Sequence, residues 1–148
     1  MSVIKIIVAT HKNFIMPQDK ELYLPVHVGC EGKKDLGFQG DNTGDNISVL
    51  NPYYCELTGL YWAWKNLECD YLGLAHYHRY FTKMTKKYKE SINIDDVILN
   101  RYEIEELLEN LEVIVPKRIK YYIKTLYSHY DYTFDGIHLD EYVKYTPE

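Results

Sequence analysis

Two short apolar runs each end abruptly in a polar cluster, and that arrangement most limits the folds open to this chain. Residues 3–9 are rich in Val and Ile, are broken only by Lys5, and lead into Thr10-His11-Lys12. Residues 70–75 lead into His76-Tyr77-His78-Arg79. Runs of this length and branching read as buried strands. Between them Asn51 offers a helix N-cap and Pro52 suits a first helical position, so a helix starts there and runs to Asn66. Strands alternating with helices define an α/β class, with a mainly parallel sheet and flanking helices. In such sheets ligands bind beyond the C-terminal strand ends. Both polar clusters fall there.

Other segments read less sharply. Residues 22–28 form a second strand that Pro25 places at an edge or weakens. Residues 29–46 carry five glycines and read as a long loop, and long loops in compact domains are often functional. In the helix, Tyr53, Leu57, Leu60, Trp64 and Leu67 recur at spacings of four and three, as a core-facing stripe requires. Glu56, Gly59 and Ala63 form a second stripe of small residues plus one carboxylate. Further on, residues 83–89 are basic and exposed, 104–111 an amphipathic helix, 113–115 a short strand, 121–130 a helix and 139–145 an incipient helix.

Size and charge set the outer bounds. A chain of 148 residues, 46% of them apolar, predicts one domain with a sizeable core. A net charge of -5 argues against nucleic-acid binding by phosphate neutralisation, yet a local basic pocket could still take a small anion. Cys30, Cys55 and Cys69 are an odd set without CxxC spacing. They predict reduced thiols in an intracellular compartment, with neither a disulfide framework nor a zinc site. Neither a signal peptide nor a membrane-spanning helix is expected. Sixteen tyrosines suit half-wet pockets, although most are expected to pack at the core edge. No Walker-type or GxGxxG loop and no Ser-His-Asp order stands out, which disfavours ATP hydrolysis and dinucleotide chemistry.

The strand tips carry the chemistry-bearing residues. Arg79 presents a planar fork that matches phosphate oxygens, and His76 and His78 add hydrogen bonds and, when protonated, charge. If the extended backbone continues, His76 and His78 share one face while Tyr77 and Arg79 share the other. Three readings stay open on pattern alone: a phosphate contact, an HxH metal pair, or a solvated strand end. Thr10, His11 and Lys12 could meet a nucleotide or simply form a wet loop. Asp41, Asp45, Asn46 and Ser48 offer hydroxyl or base contacts, although turn formation explains them equally. Glu56 stands near the helix start, where a carboxylate complements the helix dipole; a general-base role is the alternative. Lys117 follows the short strand and could reach an anion.

One long motif is specific. Residues 54–66, YCELTGLYWAWKN, are followed by YLGLAHYHRYF at residues 71–81. Together with VATHK at 8–12, YLPVHVG at 23–29 and GDNIS at 44–48, they resemble domain-of-unknown-function family 4422. That family occurs among bacterial capsular and exopolysaccharide gene products and is regarded as a glycosyltransferase group with a GT-A-like, Rossmann-like fold. The resemblance covers essentially the whole chain and departs at two points. His78 stands where the family has an Arg in an HYRRY-type segment. Family members also continue further, so the chain corresponds to their N-terminal portion.

The resemblance implies a hexosyltransferase-type enzyme. It would move a sugar from a nucleoside diphosphate sugar, UDP-sugar favoured, to a glycan or lipid-linked acceptor in capsular or exopolysaccharide synthesis. Nucleic acid is not an expected partner. The expected location is the cytoplasm, or peripherally at the cytoplasmic face of the inner membrane. HYHR stands where many such enzymes have a metal-holding DxD motif, so dependence on a divalent metal (Mn or Mg) is left open. Glu56, His76 and Arg79 become the catalytic candidates. Thr10, His11, Lys12, Asp45, Asn46, Ser48, Thr58, Tyr61, His78 and Lys117 become the substrate-binding candidates. The rival reading is a non-catalytic carbohydrate- or nucleotide-binding module, or an inactive remnant.

Overall fold

The computed structural model describes residues 2–82, 93–117 and 125–134. The expected stretches 83–89 and 139–145 lie outside the described residues. The chain divides into two compact units, Met1–Ile114 and Val115–Glu148. In the first, strands β1 (Ile4–Thr10), β2 (Tyr23–His27), β3 (Gln39–Gly40) and β4 (Tyr71–His76) form a parallel sheet in the order β3-β2-β1-β4. Helices α1 (Asn51–Tyr54) and α2 (Leu57–Asn66) precede β4, and α3 (Arg101–Leu108) follows it. In the second unit the described helix is α4 (Leu126–Phe134), entered through Thr125, whose hydroxyl accepts the Ser128 N–H at 3.1 Å. The parallel α/β class expected from the sequence is the class observed.

β1 is central because its side chains are apolar on both faces. Ile4, Ile6 and Val8 pack with Leu22, Tyr23, Ala75 and Tyr77 against Ile94, Val97, Ile98, Leu99 and Ile104. Ile7 and Ala9 pack on the other face with Val26, Val28, Trp62 and Ala63. Two covered faces are the ordinary condition of a parallel sheet. Pro25 is tolerated for a specific reason. Leu22 O and Val28 N bond to β1, and bonding alternates along a strand. Pro25 therefore turns its backbone away from β1, and on that side β3 pairs only with Val26 and His27.

The helix of residues 51–66 is not continuous. It breaks at Cys55, whose φ is 48° and ψ -128°, leaving one turn of α1 before α2. Within α2 itself the expected core stripe is largely on the wrong side: Leu57 and Trp64 are exposed, as is Tyr53 of α1, and only Leu60 and Leu67 pack inward in part. The buried face is Thr58, Gly59, Trp62 and Ala63. Small residues there let α2 settle onto the sheet. A Cβ at Gly59 would come within 2.6 Å of Val28 Cγ1 and 3.3 Å of Ile7 Cδ1. Gly59→Val should cost roughly 2 kcal/mol by overpacking, far more than the few tenths that helix propensity returns. Leu57→Gln, on the exposed face, should stay within about 0.5 kcal/mol. Urea denaturation midpoints compare the two.

Two further expectations shift. α3 starts three residues before the expected Ile104 because Asn100 and Glu103 form a reciprocal capping box, each side chain accepting the other's backbone N–H at 3.0 Å. Residues 113–115 are not a strand, because they pair with no neighbour, and Val113 and Val115 are exposed. Among the described residues no helix is long and apolar enough to cross a membrane.

Candidate functional site

The C-terminal ends of β1 and β4 lie side by side because these strands are neighbours, with Val8 opposite Ala75 and Ala9 opposite His76. The Tyr77 N–H donates to the Ala9 carbonyl at 3.2 Å, so the register continues into the loops. β4 then turns rather than extending. Arg79 N–H donates to His76 O at 2.7 Å, and His76 N–H to Arg79 O at 3.1 Å. The expected alternation of faces beyond His76 is therefore replaced by a tight turn through Tyr77 and His78.

Tyr77 causes the turn by going inward. Its ring is buried, and His11 and Phe14 meet it edge-on at 5.4 and 5.1 Å. Lys12 Nζ lies 5.3 Å from its centroid. Tyr77 and His78 rings lie 3.8 Å apart, and Phe14 touches His78 as well. Phe14 was missed in the sequence because a lone aromatic in a loop has no periodic signature. The outcome is one lip carrying exposed His11, Lys12, His78 and Arg79.

His76 sits behind that lip. Its Nε2 is 3.6 Å from Glu56 Oε1, and its Nδ1 accepts the His78 N–H at 3.3 Å. The neutral tautomer that fits carries its proton on Nε2, toward the carboxylate. Burial holds this imidazole below its ordinary value; Glu56 opposes that effect, while His78, His11 and Arg79 add to it. Both ring nitrogens thus have protein partners. His76, expected as a phosphate contact, stands beside Glu56.

Several expected ligand contacts turn out to serve the frame. Thr10 is buried, and its hydroxyl donates to the Lys12 carbonyl at 2.6 Å, shaping the turn rather than facing a ligand. Ser48 and Thr58 are buried, and both donate to the wholly buried carboxylate of Asp41. Asp41 also accepts Gly29 N–H at 2.7 Å and Cys30 N–H at 3.2 Å. Burial alone would raise its pKa, but the hydrogen bonds from Ser48, Thr58, Gly29 and Cys30 outweigh that and hold it below the usual carboxylate range. A loop hydroxyl or carboxylate looks the same in sequence whether it faces inward or outward.

Asp45, Asn46 and Tyr61 form a separate group. Tyr61 donates its hydroxyl to Asp45 Oδ1 at 3.1 Å, and Asn66 clamps the Asp45 backbone. Asn46 spends its amide on Gly44 O and Ser48 N. Glu56 and Asn66 stand ten residues apart along α2, about 15 Å, so this group flanks the far half of the helix rather than the lip. Lys117 is exposed and belongs to the second unit. His27, unremarked in the sequence, is buried at the end of β2 opposite Thr10, and burial lowers its pKa.

Among the described residues the carboxylate paired with an imidazole here is Glu56, beside His76, and Mg²⁺ or Mn²⁺ prefers several oxygen ligands. Among the described residues no group of three or more His, Cys, Asp or Glu side chains gathers at metal-binding distance. This donor set does not by itself fit such an ion. Cys30, Cys55 and Cys69 are free thiols.

The chain is similar to the apo structure of the WbbM bifunctional glycosyltransferase, with a TM-score of 0.70 and 32% identity. The match covers 86% of this chain and 25% of that one, so this chain spans about a quarter of the solved protein's length. No curated protein matches. The fold is that of a glycosyltransferase-like α/β domain. The chain belongs to the family described as Domain of unknown function (DUF4422), matched over residues 5–146.

Proposed function

We propose that this domain takes part in transferring a sugar from a nucleoside diphosphate sugar to a glycan or lipid-linked hydroxyl acceptor. The observation that carries the reading is the junction of the β1 and β4 tips, which gathers His11, Lys12, His78 and Arg79 on one exposed lip. A diphosphate leaving group needs such compensating charge as its bond to the sugar breaks. Arg79 makes no ion pair among the described residues and offers its fork to the phosphate oxygens. Glu56, held beside His76, accepts the acceptor hydroxyl's proton as its oxygen bonds to the anomeric carbon. The nucleoside diphosphate departs with the electron pair of the broken bond. A capsular or exopolysaccharide role at the cytoplasmic face of the membrane is part of the same proposal.

Calorimetric titration of the full-length protein with nucleoside diphosphate sugars, UDP-sugars first, tests it. Arg79→Ala should lose a charge-assisted bond of about 1.5–3 kcal/mol, weakening donor affinity roughly 10- to 150-fold. Unchanged affinity removes Arg79 from the site. Failure of every donor to bind a folded protein removes the reading.

A further inference from the structure

Cys55 adopts a backbone conformation that L side chains rarely take, φ 48° and ψ -128°, close to the first central position of a type II′ turn. Glycine is the usual occupant there. A cysteine in that place must be held by its surroundings, and such strained residues cluster at functional sites. The next residue is Glu56.

The hold can be traced atom by atom. The Asn51 side-chain amide donates to the Cys55 carbonyl at 2.7 Å and, through its second hydrogen, to Thr58 Oγ1 at 3.2 Å. Thr58 in turn gives its hydroxyl proton to Asp41 Oδ2 at 2.6 Å. Asp41 is anchored by Gly29, Cys30 and Ser48. Gly29, at φ +58°, has no Cβ because one would run into the Asn51 side chain. A relay therefore runs from the buried carboxylate through Thr58 and Asn51 to the strained peptide.

We infer that Asn51 and Thr58 are positioning residues, which hold Cys55 in its strained form and thereby aim the Glu56 carboxylate at His76. The inference deepens the proposed site and rests on it for its catalytic meaning, but its geometry stands without any donor. Among the described residues the charged and titratable groups facing His76 are Glu56, His78, Arg79, His11 and the ring of Tyr77. Of these only Glu56 favours the imidazolium.

The test is NMR titration of the His76 imidazole in the whole chain, with no nucleotide present. Glu56→Gln sets the full downward shift that loss of the carboxylate produces. Asn51→Ala should reproduce at least half of it, because Cys55 then relaxes and Glu56 swings away. Cys55→Gly alone should leave His76 where the wild type has it. The double variant Cys55→Gly/Asn51→Ala should return most of the shift, since glycine holds the conformation without help. If Asn51→Ala does not fold, Thr58→Val cuts the relay at its next link, and Thr58→Ser restores it. A His76 titration unmoved by cutting the relay overturns the inference. So does a shift that persists in full once residue 55 is glycine. Nucleotide binding does not enter the readout, so its failure would sink the sugar-transfer reading alone.

Discussion

Asp41→Ala is expected to destabilise the domain by about 3 kcal/mol or more, because it strands several buried donors together and each unmet group costs roughly 1–3 kcal/mol. Gly29 N, Cys30 N, the Ser48 hydroxyl and the Thr58 hydroxyl all converge on that carboxylate. For a chain of this size the melting temperature should fall by roughly 10 °C. The loss has a pH signature. The folded-state pKa of Asp41 is depressed, so the unfolded chain binds the proton more readily in acid. The contribution is then complete above the unfolded value near pH 4 and disappears as pH falls through the folded value. Urea unfolding at neutral pH and across the acid range measures both effects. Asp41→Asn should lose the acid dependence; an Asp41→Ala protein as stable as wild type would show that the donors find other partners.

Glu56→Gln should lower turnover by about 10²- to 10⁴-fold, the usual worth of a positioned general base. Donor affinity should change little, because Glu56 meets His76 at 3.6 Å behind the lip rather than on it. Arg79→Ala should show the complementary pattern, with weaker donor binding. The two variants separate acceptor activation from leaving-group stabilisation, provided turnover and donor Kd are measured on the same preparation. Full turnover in Glu56→Gln would remove the base role.

The sheet and its polar tips were legible because strand identity and parallel order follow from apolar runs spaced by a helix. Placing His11 and Lys12 at the same sheet edge as His78 and Arg79 needed only the rule that ligands meet α/β sheets at their C-terminal ends; that the two tips adjoin follows from the β1–β4 pairing in the structure. The buried face of α2 was not legible. Periodicity reads residues 51–66 as one helix, whereas Cys55 at positive φ ends α1 after one turn; and within α2 the apolar Leu57 and Trp64 face solvent, so apolar spacing alone picks the wrong side. Gly59 and Ala63 were the usable signal, since small residues mark close approach. Ser48, Thr58 and Thr10 have side chains that serve a ligand or a backbone equally well, so only coordinates show which. The same holds for His76, whose neighbour Glu56 comes from a segment with no sequence proximity to it.

The pairing of β1 with β4 also governs when this site can exist. Val3 N–H donates to Asp70 Oδ2 across 67 positions of chain, and both halves of the cationic rim hang from that same distant seam. Closing so long a loop is slow and yields nothing until the contact is made. On the proposed reading, a chain in which these strands are unpaired lacks the lip, so loss of donor binding during unfolding should coincide with separation of these two strands rather than precede it.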